Sequence, residues 1–279
     1  MGTQRTRGPI ERRTRARRPR RRATVVSVLG ELLLTAGALA LGYAGWQVWL
    51  SDAVLGGEQQ QAARTFAAEL GPITPVVADP VEPSAPTGPD ASAGTDGSAE
   101  PAAPQLRTDE PPAEPAAADR ESFAVMYIPR LGEFERVVGE GTSRAVLDSL
   151  AQGLAHYEDS AQPGGLGNFA VAGHRNGQGG PFTRLDEMRI GDRIYVQTAN
   201  AWHGYEFRNH EYVPPTAIDV VAPVPQMPQT PADGRYLTLT TCNPEWSSAG
   251  RLIAYATYSG WRPAADGMPQ ELAQTLGRA

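Results

Sequence analysis

A run of 27 residues, 24–50, is almost wholly apolar, and it follows a block of ten arginines and one acid, Glu11, in residues 1–23. Roughly 20 apolar residues suffice for a helix to cross a bilayer. Trp46 and Trp49 sit at the far end, where amphipathic rings favour the membrane interface. Glu31 interrupts the run near its basic end, and residues 32–50 would still nearly span. The arginine block predicts a single-pass anchor, with the N-terminus cytoplasmic and the remainder outside the cell membrane. Residues 38–40 (ALA) resemble a signal-peptide cleavage site, but the apolar run continues ten residues beyond them, too far for an ordinary signal core. A basic nucleic-acid tail does not fit either, because an apolar span follows it directly. Membrane lipid is therefore the expected first partner, and nucleic acid is not one.

Residues 51–121 are expected to form a stalk. Within it, 53–70 suggest a short helix continuing the anchor, with Gln59, Gln60, Gln61 and Glu69 on its wet side. From 71 to 118 Pro, Ala, Ser, Asp and Glu dominate, a composition that buries too little apolar surface to offset its ordering entropy. Such a proline-dense, disordered spacer reaches on the order of 100 Å when extended in the polyproline form.

The folded domain is expected over 122–263, with 264–279 as a tail holding a weak helix at 270–276. Short strands are predicted at 124–128, 133–138, 168–172, 193–198, 204–213, 218–221, 236–241 and 252–258. Residues 144–153 have helical spacing, with Val146, Leu147, Leu150 and Leu154 on one side. Regular short strands with Gly and Pro punctuation point to an all-β barrel or sandwich.

Within this domain stands the chain's one cysteine, Cys242, at the end of the alternating run 236–242 (YLTLTTC) before Asn243 and Pro244. A lone thiol forms no internal disulfide. Arg251 opens the next apolar run nine residues later, and His174 follows the strand 168–172. Antiparallel pairing of the last two strands would put Cys242 and Arg251 on one rim. A His174 strand running with the cysteine strand would bring all three together. A nearby imidazole or guanidinium raises the thiolate fraction. The guanidinium also has fixed donors for an oxyanion, and the imidazole can protonate a departing amine. The trio fits acyl transfer through a thioester. One cysteine and four scattered histidines show no zinc spacing, so neither metal nor cofactor is expected.

Rival cysteine chemistries fail on spacing. A tyrosine-phosphatase loop needs arginine six positions after the thiol, where this chain has Ser248. An L,D-transpeptidase would show Ser-His-Gly before it, where Thr240 and Thr241 stand. A papain-like thiol begins a helix.

Residues 238–242 (TLTTC) with Arg251 nine positions on, and 172–176 (AGHRN), resemble the signature segments of sortases, the membrane-anchored cysteine transpeptidases of Gram-positive bacteria. Ile128-Pro129 and Gly191-Asp192 are similar too. The resemblance covers roughly 122–262. It implies an eight-stranded β-barrel with short helices. Cys242 would be the nucleophile, His174 the acid/base and Arg251 the oxyanion or substrate clamp. Thr241 and Tyr157 are carried over as substrate-pocket residues. The implied reaction cleaves a C-terminal sorting signal between Thr and Gly and passes the acyl group to an amine. The implied partners are secreted proteins with such signals and a peptidoglycan precursor or cross-bridge amine. Residues 153–157 (GLAHY), 163–169 (PGGLGNF) and 243–248 (NPEWSS) look like class E of actinobacteria, which favours LAxTG over LPxTG signals.

His156, His203 and His210 are expected to be structural, with His203 at a turn and His210 on a wet strand face. Arg175 and Asn176 could line the cleft, but residues after a strand read by default as surface. A pilus-assembling sortase and a non-enzymatic wall-facing adaptor remain as alternatives, as does a protease that only hydrolyses. The chain has no lysine, so it cannot supply a lysine amine itself.

Overall fold

The computed structural model describes residues 24–46, 50–72 and 106–278. The arginine block 1–23, Trp49 and most of the proline-rich spacer (73–105) lie outside them. The chain divides into two units after Gly45. The first contributes α1 (Val25–Gly45), 21 residues with no buried side chain, long and apolar enough to cross a membrane.

In the second unit, α2 (Ser51–Leu70) precedes β1 (Ser122–Tyr127), β2 (Glu135–Glu140), α3 (Arg144–Leu147), β3 (Gly153–His156), β4 (Gly167–Gly173), β5 (Arg193–Gln197), β6 (Ala201–Val213), β7 (Arg235–Asn243), β8 (Gly250–Pro263) and α4 (Gln270–Thr275). The eight strands close into a barrel in the order β1-β2-β3-β4-β7-β8-β6-β5. Closure removes the unpaired sheet edges that would template aggregation. All neighbours are antiparallel except β2–β3 and β4–β7. A parallel pair needs a crossover, and residues 141–152, with α3, supply the one between β2 and β3.

Alternation sets what the barrel encloses. Phe169 and Val171 of β4, Leu237 and Leu239 of β7, and Leu252, Ala254 and Ala256 of β8 all join the interior cluster. Full burial of such a Leu or Phe stabilises by about 1.5–3 kcal/mol. A second apolar layer lies outside the barrel, where Ala63 and Ala67 of α2 and Leu272 and Ala273 of α4 meet Val125, Val137 and Trp202.

Several expectations give way to tertiary context. The helix expected over 144–153 stops at Leu147, and Leu154 belongs to β3 and the interior cluster. Gly153, at φ +90°, ends any helical continuation. Residues 218–221 form a 3-10 turn instead of a strand. The hairpin expected over 193–198 and 204–213 is β5–β6, but β6 begins at Ala201, so His203 lies inside a strand.

The segment read as stalk also contains packed pieces. Gly56, Gln59, Ala63 and Ala67 recur at helical spacing and are buried, so Gln59 is on the packed face and not the wet one. Further on, Arg107 exchanges two backbone hydrogen bonds with Trp261, of 2.6 and 2.9 Å. The close approach requires glycine next door. Gly260 has φ +137°, and a Cβ there would lie 2.5 Å from the Arg107 carbonyl oxygen. The tail helix α4 packs on the same unit.

Candidate active site

The strand directions define one rim. Val213 of β6 pairs with Arg251 of β8, and Arg251 with Cys242 of β7. The β7 strand runs parallel to β4, with Ala172 opposite Thr240. His174 and Cys242 each lie two residues beyond that pair. The antiparallel pairing of the last two strands and the shared direction of the other two thus both occur.

Alternation also chooses the face. Leu237, Leu239 and Thr241 point inward, so Thr238, Thr240 and Cys242 point outward. On β8, Leu252 and Ala254 are interior, leaving Arg251, Ile253 and Tyr255 outside. The candidate site is therefore an outer-face strip at one end of the barrel, not its interior mouth. The 3-10 turn at Ile218–Val221 packs on this face through Val220, which meets Ile253 and Tyr255. Asn168 holds that turn by donating to the carbonyl oxygens of Val220 (3.3 Å) and Ala222 (3.0 Å), and it accepts from Thr238 Oγ1 at 2.9 Å.

Cys242 is half-buried. Arg251 donates from Nη1 to the backbone oxygens of Gly250 (2.8 Å) and Ser248 (3.2 Å), which ties its guanidinium to the β7–β8 connection. His174 is 30% exposed, and its Nε2 lies 2.8 Å from Oδ1 of Asp148, itself 34% exposed. Its Nδ1 has no partner among the described residues.

Tyr157 and Thr241 serve different surroundings. The Tyr157 hydroxyl meets Thr240 Oγ1 at 3.0 Å, next to Cys242 on the outer face. Thr241 is buried, and its hydroxyl donates to the Gly173 carbonyl oxygen at 2.8 Å. It pins β4 to β7 immediately before His174.

The other histidines are built in. His156 is fully buried between Glu140 (Nδ1, 2.8 Å) and the Ala161 carbonyl and Ser160 hydroxyl (Nε2, 3.1 and 2.8 Å). His203 is equally buried, with Nδ1 on Tyr258 Oη and Nε2 on Glu114. His210 reaches the Leu185 carbonyl at 2.8 Å, and its ring lies tilted at 50° beside Phe207. Arg175, expected on the surface, is buried and pairs with Asp186 (3.1 Å) and Glu245 (3.7 Å). Asn176 accepts from the Trp246 N–H at 2.7 Å. Arg175 and Asn176 thereby tie the loop after His174 to the connection after Cys242.

Asp148 had no distinguishing mark in the sequence. It ends a four-residue helix, and its meeting with His174 depends on the β3–β4 pairing. Among the described residues, no group of three or more His, Cys, Asp or Glu is arranged to hold a metal. A cavity of about 260 Å³ lies elsewhere, lined by Gln60, Phe134, Arg136 and Thr183 among others. Burial there pulls the Arg136 guanidinium down to about 10.

A family model for the sortase domain matches residues 126–259. Sortase SrtE1 of Streptomyces coelicolor is 29% identical over 269 residues, which cover 94% of this chain and 65% of that protein. This chain thus spans just under two thirds of that relative. Among solved structures, the SrtA sortase from Actinomyces oris aligns with a TM-score of 0.56 and 35% identity, over 60% of this chain and 95% of that one. Sortase E from Streptomyces avermitilis aligns at 0.51 with 39% identity, over 56% of this chain and 99% of that one.

Proposed function

The chain belongs to the sortase family, and on that premise we propose that it is a membrane-anchored cysteine transpeptidase. It cleaves a LAxTG- or LPxTG-like sorting signal between Thr and Gly and transfers the acyl group to a cell-wall amine. The observation that carries this reading is the cross-strand pair Cys242–Arg251, with β4 running parallel beside it towards His174.

In this reading the Cys242 thiolate attacks the threonine carbonyl carbon, and the carbonyl oxygen becomes an oxyanion. Arg251 suits that charge because its planar donors stay protonated and its position is fixed from behind by two backbone oxygens. His174 gives a proton to the glycine nitrogen as the C–N bond breaks, leaving a thioester on Cys242. The incoming amine then attacks the thioester carbon and returns a proton to His174, and the thiolate departs. Tyr157 contributes to the substrate strip from the outer face. Thr241, its hydroxyl engaged with Gly173, serves by holding β4 against β7. The helix α1 supplies the anchor, with residues before it cytoplasmic and the barrel outside the cell membrane. The similarity to proteins named sortase E supports the LAxTG preference.

The test is mass spectrometry of the full-length protein in detergent with LAxTG and LPxTG peptides and an added amine. Cleavage between Thr and Gly with amine incorporation is expected, and Cys242→Ala should abolish it. A Cys242→Ala protein that cleaves at the original rate would remove the thiol from the chemistry. Release of free acid with no amine product would reduce the activity to hydrolysis. Arg251→Lys keeps the charge but loses the fork, and kcat should fall by about tenfold or more.

A further inference from the structure

The buried residues of α2 are Gly56, Ala63 and Ala67 beside one amide, Gln59, and Phe66 and Leu70 pack partly buried on the outer apolar layer. Gln60 and Arg64 bond Glu133 and Glu135, whereas the contacts of Asp52 and Gln59 meet around the loop after His174. Asp52 accepts the backbone N–H of Gly177 at 2.8 Å (Oδ2) and that of Gly179 at 3.3 Å (Oδ1). Gln59 is fully buried, and its Nε2 donates to two carbonyl oxygens, those of Ser149 and Gln178, each at 3.0 Å.

Those two carbonyls belong to the two segments that carry the His174–Asp148 pair. Ser149 follows Asp148, and Gln178 is in the loop that follows His174. One amide therefore joins both. The fit around it excludes alternatives. A Cβ on Gly56 would lie 3.1 Å from the Gly179 oxygen, and one on Gly153 would lie 2.7 Å from Gln59 Nε2. Gly179 has φ +82°, and a Cβ there would lie 3.0 Å from the Gly56 nitrogen.

Asp148 needs such support. It caps α3, which has only four residues, and so short a helix has little stability of its own. An ionised Asp148 carboxylate is acceptor-only, so beside it the Nε2 of His174 is the donor, and Nδ1 is the nitrogen left for the reacting groups.

Building on the transpeptidase reading, we propose that Asp148 is a positioning residue for His174, and that α2 sets the place of Asp148 through the buried Gln59 amide. The helix that follows the membrane span is then part of the working site.

The experiment uses the full-length chain in detergent, a LAxTG peptide and an amine. Asp148→Ala should lower kcat by about tenfold or more with KM within about twofold, and Asp148→Glu should restore part of it. Gln59→Met keeps the length of the side chain and removes its donor. It should lower kcat by a smaller factor, and the double variant should lose no more than Asp148→Ala alone. Factors that multiply would overturn the route through α2, and an undiminished kcat in Asp148→Ala would overturn the role of Asp148. A readout free of turnover is ¹⁵N-histidine NMR. The His174 Nε2–H resonance should be present in the original protein and lost in Asp148→Ala; its survival there would overturn the pairing. An original protein that cleaves nothing would defeat the transpeptidase reading, while the NMR signal would still decide the positioning.

Discussion

Two histidine–carboxylate pairs stand at opposite ends of this barrel. His203 pairs near the start of β6, where Ala201 meets Pro263, and His174 follows β4 at the Cys242 end, where Val213 meets Arg251. The His203 and Glu114 side chains are 0% and 5% exposed, and both imidazole nitrogens are committed. Around Glu114, burial raises the carboxyl, but hydrogen bonds from His203, Thr198 and Asn200 outweigh it and hold the group below its ordinary value. The His174 pair is about one-third exposed, and Nδ1 has no partner among the described residues. A histidine beside a carboxylate thus serves structure where every donor and acceptor is matched, and is available for chemistry where one is not.

The sharpest way to break this contrast is to delete each imidazole. His174→Ala should cut kcat by about 10²–10⁴ with a Tm within about 2 °C of the original, read by peptide cleavage and thermal melting. A large Tm loss with unchanged kcat would make His174 another structural histidine.

His203→Ala should do the reverse. It removes one of the hydrogen-bond partners of the buried Glu114 carboxylate, at a cost of about 1.5–3 kcal/mol in a chemical melt. Activity per folded molecule should stay the same. If activity falls instead while stability holds, the two ends are not as separate as their burial implies.

A smaller effect sharpens the pH side. Because the folded value of Glu114 is depressed, its stabilisation is complete above its unperturbed value of 4.5 and is lost as pH falls through the lower folded value. Glu114→Gln should therefore be less stable than the original at neutral pH, and the difference should shrink in acid. A gap that is constant with pH would show that the charge is not what stabilises.

The smallest expected change is at the pin between β4 and β7. Thr241→Val removes the hydroxyl that bonds Gly173, at about 1 kcal/mol, with kcat reduced because His174 is the next residue. Stability lost at unchanged kcat would confine Thr241 to the barrel wall.

Much of the candidate site's geometry was legible from spacing. An alternating run that ends at Cys242 and a second that opens at Arg251 leave little choice for a hairpin, and β7–β8 pairs those two residues directly. The direction of β4 was only a condition in the sequence; the parallel register with β7 is non-local and has no local signature. Leu154 looked like the last residue of a helix face because Val146, Leu147 and Leu150 precede it at helical spacing. The barrel takes it as a strand residue instead. Gln59 read as solvated because it opens a run of three glutamines, 59–61. Its burial depends on two carbonyls 90 and 119 residues away in sequence.

The order of residues alone determined an apolar segment able to span a bilayer, a strand-rich domain and one thiol delivered to a strand end. Periodicity and composition are local properties, and they suffice for that. Only the closed barrel decided which carboxylate meets His174, which histidines are sealed away, and that α2 and residues 106–121 belong to the packed unit. Those outcomes rest on contacts between residues far apart in sequence, which form only when the strands have found their register.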